Sequence, residues 1–123
     1  MGREVYGVVQ YMNERGTWEN VPLYTKDNKL VELYFFGNWV YDDLKDVCYN
    51  LEAGDAVALN DVLGYDDDDD VLWKVVHLAT IKYLAVTQDN DFADVAVKIQ
   101  NIIEFADVFA TADQIRFVYY LSY

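Results

Sequence analysis

Five consecutive aspartates, Asp66 to Asp70, are the densest chemical feature of the chain. Such a run can hold a cation, cap a helix or meet a basic partner. At a helix N-terminus each carboxylate stabilises by about 0.3–1 kcal/mol. Capping therefore accounts for Asp69 or Asp70 and leaves the others to solvent or to a partner. The run is not an EF-hand loop: counting from Asp66, the places that need glycine and glutamate hold Val71 and His77. Asp42, Asp43 and Asp46 form a second acidic group, and Glu104 with Asp107 a third. General acid–base work needs two carboxylates in contrasting environments, whereas these groups read as neighbours on wet helix faces. His77 and Cys48 are the only residues of their types. Each lies in an apolar context and reads as a packing residue. No zinc-ligand spacing, phosphate-binding loop, dinucleotide turn or nucleophile elbow is present. These features point to a protein that is not an enzyme and carries no cofactor.

Charge sets the kind of partner. The chain has 22 acidic and nine basic residues, a formal charge of −13. Residues 42–70 alone carry eleven acids and one base, and residues 1–41 are nearly neutral. A balance this acidic excludes direct binding to nucleic acid or an anionic membrane, since both require a basic footprint. It favours a basic protein. Carboxylates three or four residues apart on a helix stand about 5–6 Å apart, close to a row of phosphates. The leading expectation is an inhibitor that mimics nucleic acid and occupies the basic site of a host defence or nucleic-acid-processing enzyme. Asp42, Asp43, Asp46, Asp66, Asp67, Asp68, Asp69, Asp70, Glu104 and Asp107 would form its contact surface. The composition also carries eleven tyrosines and three tryptophans, and aromatic anchors are favoured at protein interfaces. Two alternatives follow. Trp18, Tyr24, Tyr34, Trp39, Tyr41, Tyr49, Tyr65, Trp73, Tyr119, Tyr120 and Tyr123 cannot all be buried, so an aromatic sheet face could bind a protein or a second copy of the chain. A pocket between sheet and helices could instead hold a small ligand; for an anion only Arg3, Arg15 and Arg116 are available.

The elements that must position these residues follow from periodicity. Alternation over 3–12, 17–24 and 30–36 predicts three strands, with Pro22 placing the second at an edge or bulge. Val40, Leu44, Val47, Cys48 and Leu51 repeat at helical spacing, with Asn38 as N-cap and Gly54 as stop. Residues 55–65 fit a helix or a strand. Residues 71–86 predict a helix with Leu72, Val75, Val76, Ala79 and Tyr83 inward. Residues 92–110 predict the clearest helix, with Phe92, Val95, Ile99, Ile102, Ile103, Ala106 and Phe109 inward. Ile115 to Tyr123 reads as a strand, apolar on both faces and hence central, beside the first strand. The expected fold is a single α+β domain over 1–123. It has an antiparallel sheet of about four strands, three N-terminal and one C-terminal, with about three helices on one face. A lone cysteine, no apolar leader and no apolar run of about 18 residues point to a cytoplasmic protein.

Two stretches add a resemblance. Gly37-Asn38-Trp39-Val40-Tyr41-Asp42-Asp43-Leu44 is similar to a Gly-Arg-Asn-Tyr-Asp-Leu type of segment, and Ile115-Arg116-Phe117-Val118-Tyr119-Tyr120 resembles an Arg-x-Val-Phe-aromatic terminal strand. Both occur in this order in a group of small phage and bacterial proteins that open with Met-Gly and a strand. The chain departs from that group in lacking a Cys-Asp-Ile-His opening and an acidic last residue. The resemblance implies a phage-type accessory protein and assigns no activity or site residue.

Overall fold

A computed structural model describes residues 4–27, 30, 32–36, 44–66, 71–87, 90–105 and 111–122. Among these residues six strands form one antiparallel sheet: β1 (Glu4–Met12), β2 (Trp18–Asn20), β3 (Leu33–Phe36), β4 (Tyr49–Asn50), β5 (Lys74–His77) and β6 (Ile115–Ser122). Three α-helices and a short 3-10 turn (Ala112–Gln114) accompany them among the described residues: α1 (Ala53–Leu63), α2 (Leu78–Thr87) and α3 (Asn90–Phe105). The expected α+β class holds. The sheet order is β2-β1-β6-β5-β4. β3 shares one edge of β1 with β2, pairing residues 4–7 while β2 pairs residues 10–12. Pro22, which has no amide hydrogen, lies beyond β2 in the gap between those two pairings.

β6 is central, as its two apolar faces predict. It pairs with β1 from Glu4↔Ser122 to Tyr11↔Ile115 and with β5 on its other side. Alternation divides its side chains between two cores. Ile115, Phe117 and Tyr119 join Val5, Val9, Val76 and the inner faces of α2 and α3. Val118 joins Val8, Val75, Trp73 and the α1 residues Leu59 and Leu63. The helices therefore flank both faces of the sheet, which corrects the expectation of a single helical layer. A second strand pair, β4 with β5, raises the strand number above the expected four.

The extra strands come from two segments that read as helix. Leu72, Val75, Val76 and Ala79 have helical spacing, yet Lys74–His77 is strand β5 and α2 begins only at Leu78. Trp73, Val75 and Val76 are all buried, so this stretch is apolar on both faces. In so short a run, burial on both sides hides the period of two. Leu72 and Tyr83, placed inward by helical spacing, are exposed. Of the helix expected before Gly54, residues 37–43 lie outside the described residues. Its remainder is a turn, closed by Cys48 N–H donating to Leu44 O at 2.9 Å, followed by β4. Leu44 and Leu51 look like one helical face but pack on opposite sides of the sheet, because the chain crosses the sheet edge between them.

Gly54 lies inside α1, and the helix stops at Gly64 instead, whose φ of 80° is the left-handed conformation that favours glycine. α3 follows the expected stripe closely: Phe92, Val95, Ile99 and Ile103 are buried and Ile102 half-buried, with 106–110 outside the described residues. Gly7 faces Tyr119 across the β1–β6 ladder. A Cβ at Gly7 would stand 2.5 Å from the Phe117 ring and 2.6 Å from the Val118 carbonyl oxygen. The missing side chain lets Phe117 stack on Tyr119, with ring centroids 5.4 Å apart, directly over β1.

Candidate functional site

Of the acidic residues singled out in the sequence, the structure describes Asp46, Asp66 and Glu104; Asp42, Asp43, Asp67–Asp70 and Asp107 lie outside the described residues. All three are exposed. Asp46 sits in the turn before β4. Asp66 follows α1, and Glu104 is near the end of α3, on the other side of the sheet. Glu104 and Asp66 thus belong to different helical layers.

A denser arrangement lies on the α1 face, at the C-terminal end of that helix. Strand register sets Tyr34, Tyr6 and Tyr120 in a row across β3, β1 and β6. The Tyr6 ring stacks on Tyr120 at 5.4 Å and tilts against Tyr34 at 5.3 Å. Tyr65, just beyond α1, stands edge-on to Tyr120, and their hydroxyl oxygens are 2.7 Å apart. Trp73 closes the row with its ring at right angles to Tyr120, 5.0 Å away, and its Nε1–H donates to Asn60 Oδ1 at 2.8 Å.

Two carboxylates bracket this row. Tyr6 donates its hydroxyl to Glu4 Oε2 at 3.0 Å, and the Tyr65 hydroxyl lies 3.2 Å from both oxygens of Glu32. Burial raises the Glu32 pKa, and the Tyr65 hydrogen bond partly opposes this. The bond to Glu4, then burial, raises the Tyr6 phenol; burial, then the Glu4 charge, raises Tyr34. Tyr65 is raised by burial and by its bond to Tyr120. Each phenol therefore stays neutral and presents its electron-rich ring beside a carboxylate. α1 ends beside Tyr65 with no basic residue in its last turn, so nothing on the helix offsets its negative dipole end there. Tyr34 is 48% exposed. Carboxylates, ring faces and a helix C-terminus together favour a guanidinium or ammonium group. Tyr34, Tyr65 and Tyr120 are among the eleven aromatics that the sequence singled out; Tyr6, Glu4 and Glu32 are not. Their place follows from strand register, which the alternation of β1 alone does not fix.

At the opposite end of the α1 face, Arg116 pairs with Gln10 across the β1–β6 ladder and is 5% exposed. Its Nε–H donates to Gln10 Oε1 at 2.8 Å, and Gln10 Nε2 donates to Asn20 Oδ1 at 2.8 Å. The guanidinium lies over the Trp18 ring, 4.4 Å from its centroid. Trp18 also meets His77 edge-on, and His77 Nε2 bonds the Tyr49 hydroxyl at 2.9 Å. Burial, then the Arg116 charge, lowers the His77 pKa, so the ring is neutral near pH 7. His77 is the packed residue that its context predicts. Cys48 packs with the α2/α3 core on the other face, so the arrangement gives no Cys48–His77 nucleophilic pair. Among the described residues no three His, Cys, Asp or Glu side chains cluster as metal ligands, and no helix is long and apolar enough to cross a membrane.

No protein-family model, curated protein or solved structure matches the chain. Function must therefore be argued from these two clusters and from the charge.

Proposed function

We propose that this protein is a non-enzymatic binding protein whose acidic, tyrosine-bearing surface engages a basic partner protein. The observation that carries this reading is the Tyr34–Tyr6–Tyr120 row bracketed by Glu4 and Glu32. An arginine or lysine of the partner would lie against the exposed ring of Tyr34 with a carboxylate beside it. The net charge of −13 supplies long-range attraction and accelerates encounter. Residues 42–70, with net charge −10, extend the same reading. We propose that they contact the basic groove of a nucleic-acid-processing host enzyme and so exclude its substrate, as an anti-restriction or anti-CRISPR inhibitor would.

The test is fluorescence anisotropy with a labelled arginine-rich peptide. A cation–π contact of about 0.5–1 kcal/mol and an exposed ion pair of about 0.2–1 kcal/mol together set the scale. The double variant Tyr34→Ala/Glu32→Gln should weaken binding about 3- to 30-fold. Asp94→Asn removes the same charge from the exposed side of α3 and should change it less than twofold. Equal weakening by both would reduce the interaction to net charge and reject the site. Changing Asp66–Asp70 to Asn should flatten the salt dependence and relieve inhibition of any enzyme that the protein blocks.

A further inference from the structure

A cavity of about 280 Å³ opens between α1 and the β2–β1–β6 end of the sheet, with Gln10, Trp18, Asp55, Leu59, Val62 and Arg116 in its lining. It lies at the other end of α1 from the tyrosine row, and its residues Gln10, Trp18 and Arg116 belong to neither the row nor the acidic 42–70 segment. Arg116 is the buried charge of this region. Its Nε–H is bonded and its ring-facing side covered by Trp18, but Nη2 is buried and makes no hydrogen bond. The nearest carboxylate oxygen, Asp55 Oδ2, is 4.0 Å from Nη2, and Asp55 is largely exposed at the cavity rim. A buried guanidinium N–H without an acceptor is costly, and an entering acceptor would recover that cost.

We propose that this cavity binds a small zwitterion of the α-amino-acid class. Its carboxylate would accept from Arg116 Nη2, and its ammonium would pair with Asp55. The chemistry of the lining selects this class. Arg116 calls for an anionic oxygen acceptor. Asp55, so close to the guanidinium, opposes a phosphate or any multivalent anion that lacks its own cation. Leu59, Val62 and Trp18 offer an apolar wall for an aliphatic or aromatic side chain. The volume lies just below the usual range for ligand pockets, about 300–1,000 Å³, which fits an amino acid better than a nucleotide.

The experiment is thermal unfolding, followed by tryptophan fluorescence, of the full chain with each of the twenty common L-amino acids at millimolar concentration. Acetate, methylamine and inorganic phosphate serve as single-charge controls, and isothermal titration measures Kd for any hit. One or more apolar amino acids should raise Tm by about 5 °C for each tenfold excess over Kd, and the controls should not. Arg116→Met should abolish the shift. Because Arg116 is buried, Asp55→Asn at the exposed rim is the second variant; it should fold normally and weaken binding at least tenfold. Absence of any shift with all twenty amino acids overturns the proposal. So does a shift that survives Asp55→Asn unchanged, or one that acetate or phosphate reproduces in full.

Discussion

Gly7, Gly64 and Gly54 predict three responses to one substitution. Gly7→Ala places a methyl 2.5 Å from the Phe117 ring and 2.6 Å from the Val118 carbonyl oxygen. The ring cannot swing away, because it is stacked on Tyr119 in a filled core, and the carbonyl belongs to the central ladder. Overpacking of this kind costs about 1–3 kcal/mol, and a clash with backbone belongs at the upper end. Gly64→Ala meets no atom within 4 Å but must keep φ at 80°, which costs a side chain about 1–2 kcal/mol. Gly54→Ala also meets nothing within 4 Å, sits in the first turn of α1 and lacks the φ constraint. There alanine should stabilise by up to about 0.5–1 kcal/mol. At an unfolding entropy of about 2.1 cal/mol/K per residue, 1 kcal/mol corresponds to roughly 4 °C of Tm for a chain of 123 residues. The expected changes are a fall of about 12 °C for Gly7→Ala, a fall of about 4–8 °C for Gly64→Ala and a rise of about 2–4 °C for Gly54→Ala. Calorimetry or circular dichroism melts at one pH measure all three. A Gly7→Ala variant as stable as wild type would refute the close approach of β1 to Phe117, and with it the β1–β6 register.

Two further outcomes follow. His77 has its pKa lowered by burial, so the unfolded chain takes up the proton first. Its contribution to stability is present above the ordinary histidine value, near 6.5, and is lost as pH falls below it. The difference in unfolding free energy between wild type and His77→Gln should therefore shrink between pH 7 and pH 5; a constant difference would show that the ring is not held neutral. Asn60→Ala removes the acceptor of the buried Trp73 Nε1–H and should cost about 1–3 kcal/mol, read from urea denaturation. Asn60→Asp, which keeps an acceptor, should recover most of that loss.

The parts of this fold that were legible in the sequence are those with one periodicity, or with a long β-branched and aromatic run that only a strand fits. β1 and the buried stripe of α3 each have a clear period, and β6 is an eight-residue run rich in β-branched and aromatic residues, twice the length of β5. The segment from Leu44 to Leu51 and the run around Val75 were not legible, for different reasons. In the first, apolar residues at helical spacing serve two cores on opposite faces. In the second, both faces of β5 are buried and the alternation vanishes. Of the acidic residues singled out in the sequence, the three that the structure describes, Asp46, Asp66 and Glu104, are exposed as read. The tyrosine row and the Arg116 cavity could not be found from spacing, because each gathers residues that are far apart in sequence, such as Gln10 and Arg116.

The pairing of β1 with β6 also has a kinetic consequence. The two strands at the middle of the sheet are separated by roughly a hundred residues that include α1, α2 and α3. Their ladder closes a very long loop, and proteins dominated by such non-local contacts fold slowly. Until β6 docks, both β1 and β5 expose unpaired edges, and Val8 and Val76 have no strand partner. The α2–α3 hairpin can form early from local contacts, but the sheet is completed last. The interval before closure is therefore when the chain is most exposed to edge-to-edge association, and its large net negative charge acts against association during that interval.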